Sequence, residues 1–294
     1  MKAWRVSVWG AAPQLDELPP PARRPGRSIV RMAAATVGHI DRTVMAGKFM
    51  GPPRLPYTPG VEAAGTVVHS DRFAAGTRVW LRGGGLGTRT DGTWCELIDA
   101  PDEALGLLPE GVSMASGSAF FSPSTSAWVA LHEVGVLRPG ERVAVMGASG
   151  AVGSMAVQLA RQAGATVVDT PEASSSVDLL VDTVGGPVLE HGIRTVAPGG
   201  RVVLVGYTAG EQVSLFLPEL LQRDVRLLPL NMYRREAQGR AAAPALLEQL
   251  ADGRLQLATR SFAFAEVPQA LRWIAERGHR GRAVLVADIE TRRP

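Results

Sequence analysis

Gly147-Ala148-Ser149-Gly150-Ala151-Val152-Gly153 is the stretch whose reading decides the fold. It follows the apolar run Val143-Ala144-Val145-Met146 and opens a segment, residues 154–163, whose apolar Val157, Ala160 and Ala163 recur at helical spacing ahead of Gly164. Strand, glycine turn and helix in that order are the physical recipe for holding a dinucleotide pyrophosphate. Gly150 lets backbone approach a phosphate, and Gly153 lets the helix lie close to the sheet. The free N–H groups at the helix start face the anion. Glycines alone would mark any tight strand-to-helix turn; the strand before and the helix after are what point to dinucleotide binding.

Outward from this turn the chain has two grammars. From about Ser122 onward, helical segments alternate with apolar strands at 143–146, 177–181, 202–205 and 225–230, the pattern of a doubly wound parallel sheet. Upstream, short strands at 3–9, 28–35, 61–68, 73–80 and 92–98 are broken by Gly/Pro turns, among them residues 19–25, Leu55-Pro56-Tyr57-Thr58-Pro59-Gly60 and Gly83-Gly84-Gly85. That is the pattern of a small β-barrel. Gly65 inside the strand at 61–68 predicts a bulge or a close backbone approach. A short helical piece follows Gly38-His39-Ile40-Asp41 and ends near Gly47. Near the end, the pattern predicts a helix over 267–277 stopped by Gly278, then a strand over 283–286. Residues 173–176 form a small polar patch.

The 294 residues suit two domains with a sizeable core. Net charge is only +3 and the basic residues are scattered, so no block of Lys/Arg with interleaved aromatics argues for nucleic acid. The single cysteine, Cys95, excludes an intrachain disulfide and a cysteine-rich zinc site. No apolar run reaches membrane-spanning length and no targeting core precedes Lys2-Ala3-Trp4, so a soluble cytoplasmic protein is expected.

Ordered motifs along nearly the whole chain carry a family resemblance. They are the Leu55–Gly60 loop continuing as Val61-Glu62-Ala63-Ala64-Gly65; Ser126-Ala127-Trp128-Val129-Ala130-Leu131; and Leu137-Arg138-Pro139-Gly140-Glu141. After the glycine turn come Val177-Asp178-Leu179-Leu180-Val181-Asp182-Thr183-Val184-Gly185-Gly186, Pro198-Gly199-Gly200-Arg201-Val202 and His279-Arg280-Gly281-Arg282. In these the chain resembles the zinc-independent quinone oxidoreductase and enoyl reductase-like branch of the medium-chain dehydrogenase/reductase superfamily. The resemblance implies an α/β fold: a GroES-like β-barrel domain, residues 1–122 completed by 256–294, and a Rossmann domain with a doubly wound parallel sheet, residues 123–255. It also implies NADPH or NADH as cofactor, a small-molecule substrate and a homodimer paired along the strand at 225–230, where Pro229 could instead block the edge and leave a monomer.

The same resemblance bears on the site. Zinc-dependent relatives ligate through a cysteine near position 38 and a histidine after the glycine of the Gly60 loop; here those places hold Gly38 and Val61, so no metal is expected. His39, His69, His132, His191 and His279 share no ligand spacing. The asparagine and two tyrosines that line the nicotinamide site in quinone reductases fall on Gly38, Thr43 and Phe49. Ser126 stands where the family has a threonine touching the cofactor ring. Ser126, Gly147, Ser149, Gly150, Ala151, Val152, Asp169, Gly206 and Tyr207 are the implied cofactor contacts. For proton transfer His39 is the choice; Asp41 and Tyr57 are alternatives, against which stand a helix-capping role for Asp41 and a packing role for Tyr57.

The connection after Asp169 is short. Only residues 170–176 separate it from Val177, too few for the helix, strand and second helix that relatives carry there. A shortened Rossmann sheet follows, without the outer wall of the adenosine pocket. Asp169 reads equally as an NAD-type ribose ligand or as a turn residue of the short link. Three functions stay open: a nicotinamide-dependent reductase of a quinone, enone or enoyl group; a non-redox enzyme on the same fold, catalysing cyclisation, isomerisation or elimination; or a binding protein that inherited the fold.

Overall fold

The computed structural model describes residues 1–169, 176–276, 278 and 280–287. In chain order the first elements are β1 (Lys2–Arg5), β2 (Gln14–Glu17), β3 (Arg27–Val37), α1 (His39–Met45), β4 (Glu62–His69), β5 (Arg78–Arg82), β6 (Leu97–Pro101), β7 (Leu105–Leu107), α2 (Met114–Ala119) and α3 (Phe121–Trp128). Then come β8 (Arg142–Met146), α4 (Ala151–Gln162), β9 (Thr166–Val168), β10 (Val177–Asp182), α5 (Gly186–Arg194), β11 (Val196–Leu204), α6 (Leu217–Gln222), β12 (Arg226–Pro229) and α7 (Glu236–Ala251). The last are β13 (Thr259–Ala263), α8 (Val267–Ala275) and β14 (Arg282–Val286). Two compact units result: Met1–Phe121 with Leu250–Asp252 and the chain from Leu257 onward, and Ser122–Gln249 with Gly253–Gln256.

In the first unit the principal sheet runs β13-β14-β3-β4-β5-β7, with β6 also paired to β3. The long β3 serves as its spine because consecutive residues, Ser28–Val30 and Ala34–Val37, are buried, so both faces of the strand are covered along most of its length. Strand β14 pairs antiparallel with β3 from Ala283 opposite Val37 to Val286 opposite Ala34. The core gathers Val30, Ala35, Trp94, Ile98 and Leu285. Gly65 fulfils both sequence expectations. The β3–β4 register shifts between Met32 and Ala34, and a Cβ on Gly65 would lie 2.0 Å from the Arg31 carbonyl oxygen.

Several strands differ from the sequence reading. Residues 73–77 form a turn, closed by the Gly76 N–H donating to Val67 O, and the strand starts at Arg78. Residues 92–95 are a buried loop apart from isolated pairings; its polar groups find distant partners, as when Trp94 Nε1 donates to Thr36 O at 2.8 Å. The first strand ends at Arg5, with Val6 bridging to Tyr57. Buried loop and strand share the same apolar content, which is why the pattern did not separate them.

The second unit holds a five-stranded, all-parallel sheet in the order β12-β11-β10-β8-β9. Ala144, Leu180, Leu189, Ile193, Val196 and Val202 build a core on one face. Helix α4 begins at Ala151, directly after the glycine turn rather than at Ser154, and buries Gly153, Met155, Ala156, Leu159 and Ala160. Of the expected apolar positions Ala160 is buried, whereas Val157 and Ala163 are only half-buried. Among the described residues β9 is an edge strand only three residues long. The short connection of residues 170–176 and the polar patch at 173–176 lie outside the described residues except for Ser176. Arg277, where the last helix was expected to end, and His279 also lie outside them; α8 itself closes at Ala275. No described helix is long and apolar enough to cross a membrane.

Candidate active site

The glycine turn sits at the carboxyl end of β8, and three features of its sequence fix its shape. Gly147 has φ +79°, the left-handed region, and a Cβ there would strike the Thr183 side chain at 2.4 Å. The Gly150 N–H returns to Gly147 O at 2.9 Å, closing the turn. Gly153 lies so near this turn that a Cβ would be 2.1 Å from Gly147 O. Gly150 differs, because its nearest obstacle is that same oxygen at 3.3 Å and the residue is otherwise open. Ala148, Ser149 and Gly150 are exposed. No side chain caps α4, so the N–H groups of Ala151, Val152 and Gly153, which have no carbonyl partner within a helix, are left for a ligand. An open N-cap glycine with unclaimed N–H groups fits the pyrophosphate of a dinucleotide.

The neighbouring strand ends close around this turn. At the end of β10, Thr183 Oγ1 donates to Met146 O at 2.8 Å. Asp182 is fully buried; its Oδ2 accepts the Gly185 N–H at 2.8 Å, while Oδ1 has no partner among the described residues. Burial raises its pKa, against the N–H bonds from Gly185 and Val184 that lower it. The loop after β11 is tied to this one: the Ala209 N–H donates to Val184 O at 2.6 Å, and Gly206 packs on the Thr183 backbone. Gly206 is half-buried and the Tyr207 ring is exposed beside it. Gly147, Gly206 and Tyr207 thus occupy one carboxyl-end edge of the sheet, where open α/β sheets bind ligands.

Asp169 follows β9 at the sheet edge, exposed, with Oδ1 3.2 Å from Arg161 Nη2 in the last turn of α4. Ser126 is buried on α3 in this same unit. His39, Asp41 and Tyr57 belong to the other unit.

There, His39 is exposed at the first position of α1, and its carbonyl takes the Thr43 hydroxyl at 3.1 Å. Asp41 is buried; Oδ2 accepts the Gly38 N–H at 2.7 Å, so the carboxylate caps α1, while Oδ1 has no partner among the described residues. Burial pushes its pKa up to about 7; the Gly38 bond and Arg282 pull it down without offsetting this. Tyr57 is equally buried, stacks at a tilt on Trp9, and leaves its hydroxyl without a described partner. Burial first, and then Asp41, raise its pKa. Close by, the buried Glu62 Oε2 lies 2.6 Å from Arg282 Nη1, which also donates to Ala119 O. This buried ion pair explains the arginine in the terminal motif and was not legible in the sequence. Burial also pushes the Cys95 thiol up to about 12, which leaves it inert.

Gly38 and Val61 offer no ligand atom, and no group of three His, Cys, Asp or Glu side chains among the described residues could hold a metal ion.

A parallel-sheet unit with an open glycine turn, preceded and followed in sequence by parts of a sheet-rich unit, defines a two-domain dehydrogenase-type fold. The comparisons make this specific. Residues 24–110 match the alcohol dehydrogenase GroES-like domain, and residues 154–285 match the family described as zinc-binding dehydrogenase. The chain is 30% identical over 223 residues to the human synaptic vesicle membrane protein VAT-1 homolog, an alignment covering 64% of this chain and 55% of that protein. The chain therefore spans little more than half the length of that relative. It is 26% identical over 246 residues to quinone oxidoreductase of Sus scrofa, covering 70% of this chain and 73% of that one. Among solved structures, the quinone oxidoreductase of Thermus thermophilus, also determined in complex with NADPH, superposes with TM-score 0.75 at 28% identity over 97% of this chain and 100% of that one. The chain belongs to the medium-chain dehydrogenase/reductase superfamily, in its quinone oxidoreductase-like branch.

Proposed function

We propose that the chain is a zinc-independent reductase that passes a hydride from NADH or NADPH to a quinone, enone or enoyl group. The observation that carries this reading is the open turn at Gly147–Gly153, whose N–H groups at the start of α4 are unclaimed. In this reading Ala151 and Val152 hold the pyrophosphate, aided by Ser149. Ser126 orients the ring, and Gly206 and Tyr207 border it. Asp169 accepts the ribose hydroxyl and, by its charge, disfavours a 2′-phosphate. The cofactor supplies the hydride. His39, exposed on α1, supplies the proton, and buried Asp41 holds α1 in place. A second copy pairs along the edge strand β12, and the dimer works in the cytoplasm.

One observation favours a non-redox enzyme on this fold instead: the three-residue edge strand β9, which leaves little sheet to wall an adenosine. Titration with NADH and NADPH by calorimetry, alongside their oxidation with a quinone and an enone, decides between the readings. Saturable binding with turnover supports the reductase; no binding of either cofactor to wild type overturns it. Elemental analysis and light scattering test the absence of zinc and the dimer.

A further inference from the structure

We propose that a groove at the carboxyl end of β12 binds an anionic group of the substrate, so that the enzyme's natural substrate carries a carboxylate or phosphate. The proposal rests on the reductase reading for the reacting end of that substrate. The groove has a volume of about 580 Å3 and is lined by Pro229, Asn231, Arg234, Arg235 and Gln238. It is built by local chemistry. Asn231 Oδ1 accepts the N–H groups of Tyr233 (3.0 Å) and Arg234 (3.3 Å), a side-chain-closed turn that delivers two consecutive arginines ahead of α7. Neither guanidinium has a hydrogen bond or ion pair among the described residues. The adjacent carboxylate, Glu236, is engaged by Arg240 at 3.1 Å, so it does not neutralise them. The start of a sixteen-residue helix adds to the same positive field.

Position turns this positive concavity into a substrate site. The Leu230 N–H donates to Leu204 O at 2.9 Å, so the groove begins level with the end of β11, the strand that leads into Gly206 and Tyr207. It lies on the sheet edge that carries the glycine turn, on the far side of β10 and β11 from it. Helix α7, which supplies Gln238 to the groove, also packs on the segment bearing Ser126. A Cβ on Gly239, next to Gln238, would lie 3.2 Å from Thr125 Cβ. Along this edge lie, in order, the pyrophosphate cradle, the strand ends assigned to the ring, and two unpaired guanidiniums. An oxyanion seated on Arg234 and Arg235 would be held in the fork geometry arginine gives to carboxylate and phosphate.

The test compares acetylacrylate, an enone bearing a carboxylate, with its neutral methyl ester, using wild type and the double variant R234Q/R235Q. Neither arginine has a partner to lose, so the variant should keep wild-type stability, checked by thermal unfolding. The expected result is a fall of at least roughly tenfold in kcat/KM for acetylacrylate, carried by KM, with the ester within about twofold. Where the enones turn over, equal effects of the double variant on acid and ester, or none on either, overturn the proposal. Calorimetry with acetylacrylate and with inorganic phosphate separates it from the reductase reading. If neither enone turns over but an anion binds wild type and not the variant, the groove stands and the reductase reading fails. If neither anion binds wild type, the groove fails whatever the turnover; where both bind, the tighter one identifies the group.

Discussion

Arg201 and Glu141, sixty residues apart, form a two-pronged pair between a buried guanidinium and a half-buried carboxylate: Nη1 meets Oε1 at 3.0 Å and Nη2 meets Oε2 at 2.6 Å. The guanidinium also donates to the carbonyls of Gly135, Val136 and Asp178. Every donor direction is used, so the pair clamps the entry to β8 against β10 and β11. Replacing Arg201 by methionine strands a half-buried carboxylate and should cost about 3–5 kcal/mol, read from urea unfolding.

The same pair sets an acid limit. Burial pushes Glu141 up, but its hydrogen bonds to Arg201 and Arg138 outweigh this, so its folded pKa is below the usual 4.5. A depressed carboxylate stabilises the fold above its unfolded pKa, and this is lost as pH falls through the folded value. Wild type should therefore lose stability below about pH 4.5 more steeply than E141Q, a comparison made by thermal unfolding across acidic buffers.

Asp41 acts in the opposite sense. Its folded pKa of about 7 exceeds its ordinary 3.8, so its stabilising contribution is complete below the ordinary value and is lost as pH rises through about 7. Asn at this position keeps an acceptor for the Gly38 N–H without the charge. D41N should match wild type near pH 4 and melt several degrees higher near pH 8, which differential scanning would register.

Gly150 and Gly153 should separate binding from folding. Gly153→Ala drives a methyl onto Gly147 O and should destabilise by roughly 1–3 kcal/mol. Gly150→Val meets only that oxygen, at 3.3 Å from its Cβ, and should cost far less stability while abolishing nicotinamide binding. Unfolding curves and cofactor titration of both variants check the contrast.

Removing the Asp169 carboxylate frees Arg161 for a 2′-phosphate. In D169A the ratio of NADPH to NADH affinity should rise about tenfold, measured by fluorescence titration. An unchanged ratio would mark Asp169 as a turn residue alone.

The parallel unit was legible in the sequence because a buried parallel strand is a continuous apolar run and a glycine turn is a local event. The barrel strands were less so. Phe73 and Trp94 are as apolar as strand residues, yet one sits in a turn and the other in a loop whose hydrogen bonds go to Thr36, far away in sequence. The site divides in the same way. Gly147 and Gly153 could be read locally, whereas the charge of Asp41, the Glu62–Arg282 pair and the Arg201 clamp depend on partners folded in from distant segments. Arg234 and Arg235 stood out in no pattern; only the turn made by Asn231 and the lack of partners single them out.

The pairing of β14 with β3 has a consequence for how the chain is made. A ribosome releases β3 early, with its antiparallel neighbours β4 and β6 soon after, but the neighbour of Ala34–Val37 on the other side comes from residues 282–286, after the whole parallel-sheet unit has been synthesised. Until then the Ala34–Val37 end of β3 presents an unpaired edge of small residues, open to another nascent chain. The five-stranded parallel sheet takes no strand from residues 282–286, so its pairing can be completed first. Deleting residues 282–286 would make that transient exposure permanent, so loss of five residues outside the unit that bears the glycine turn should appear first as aggregation.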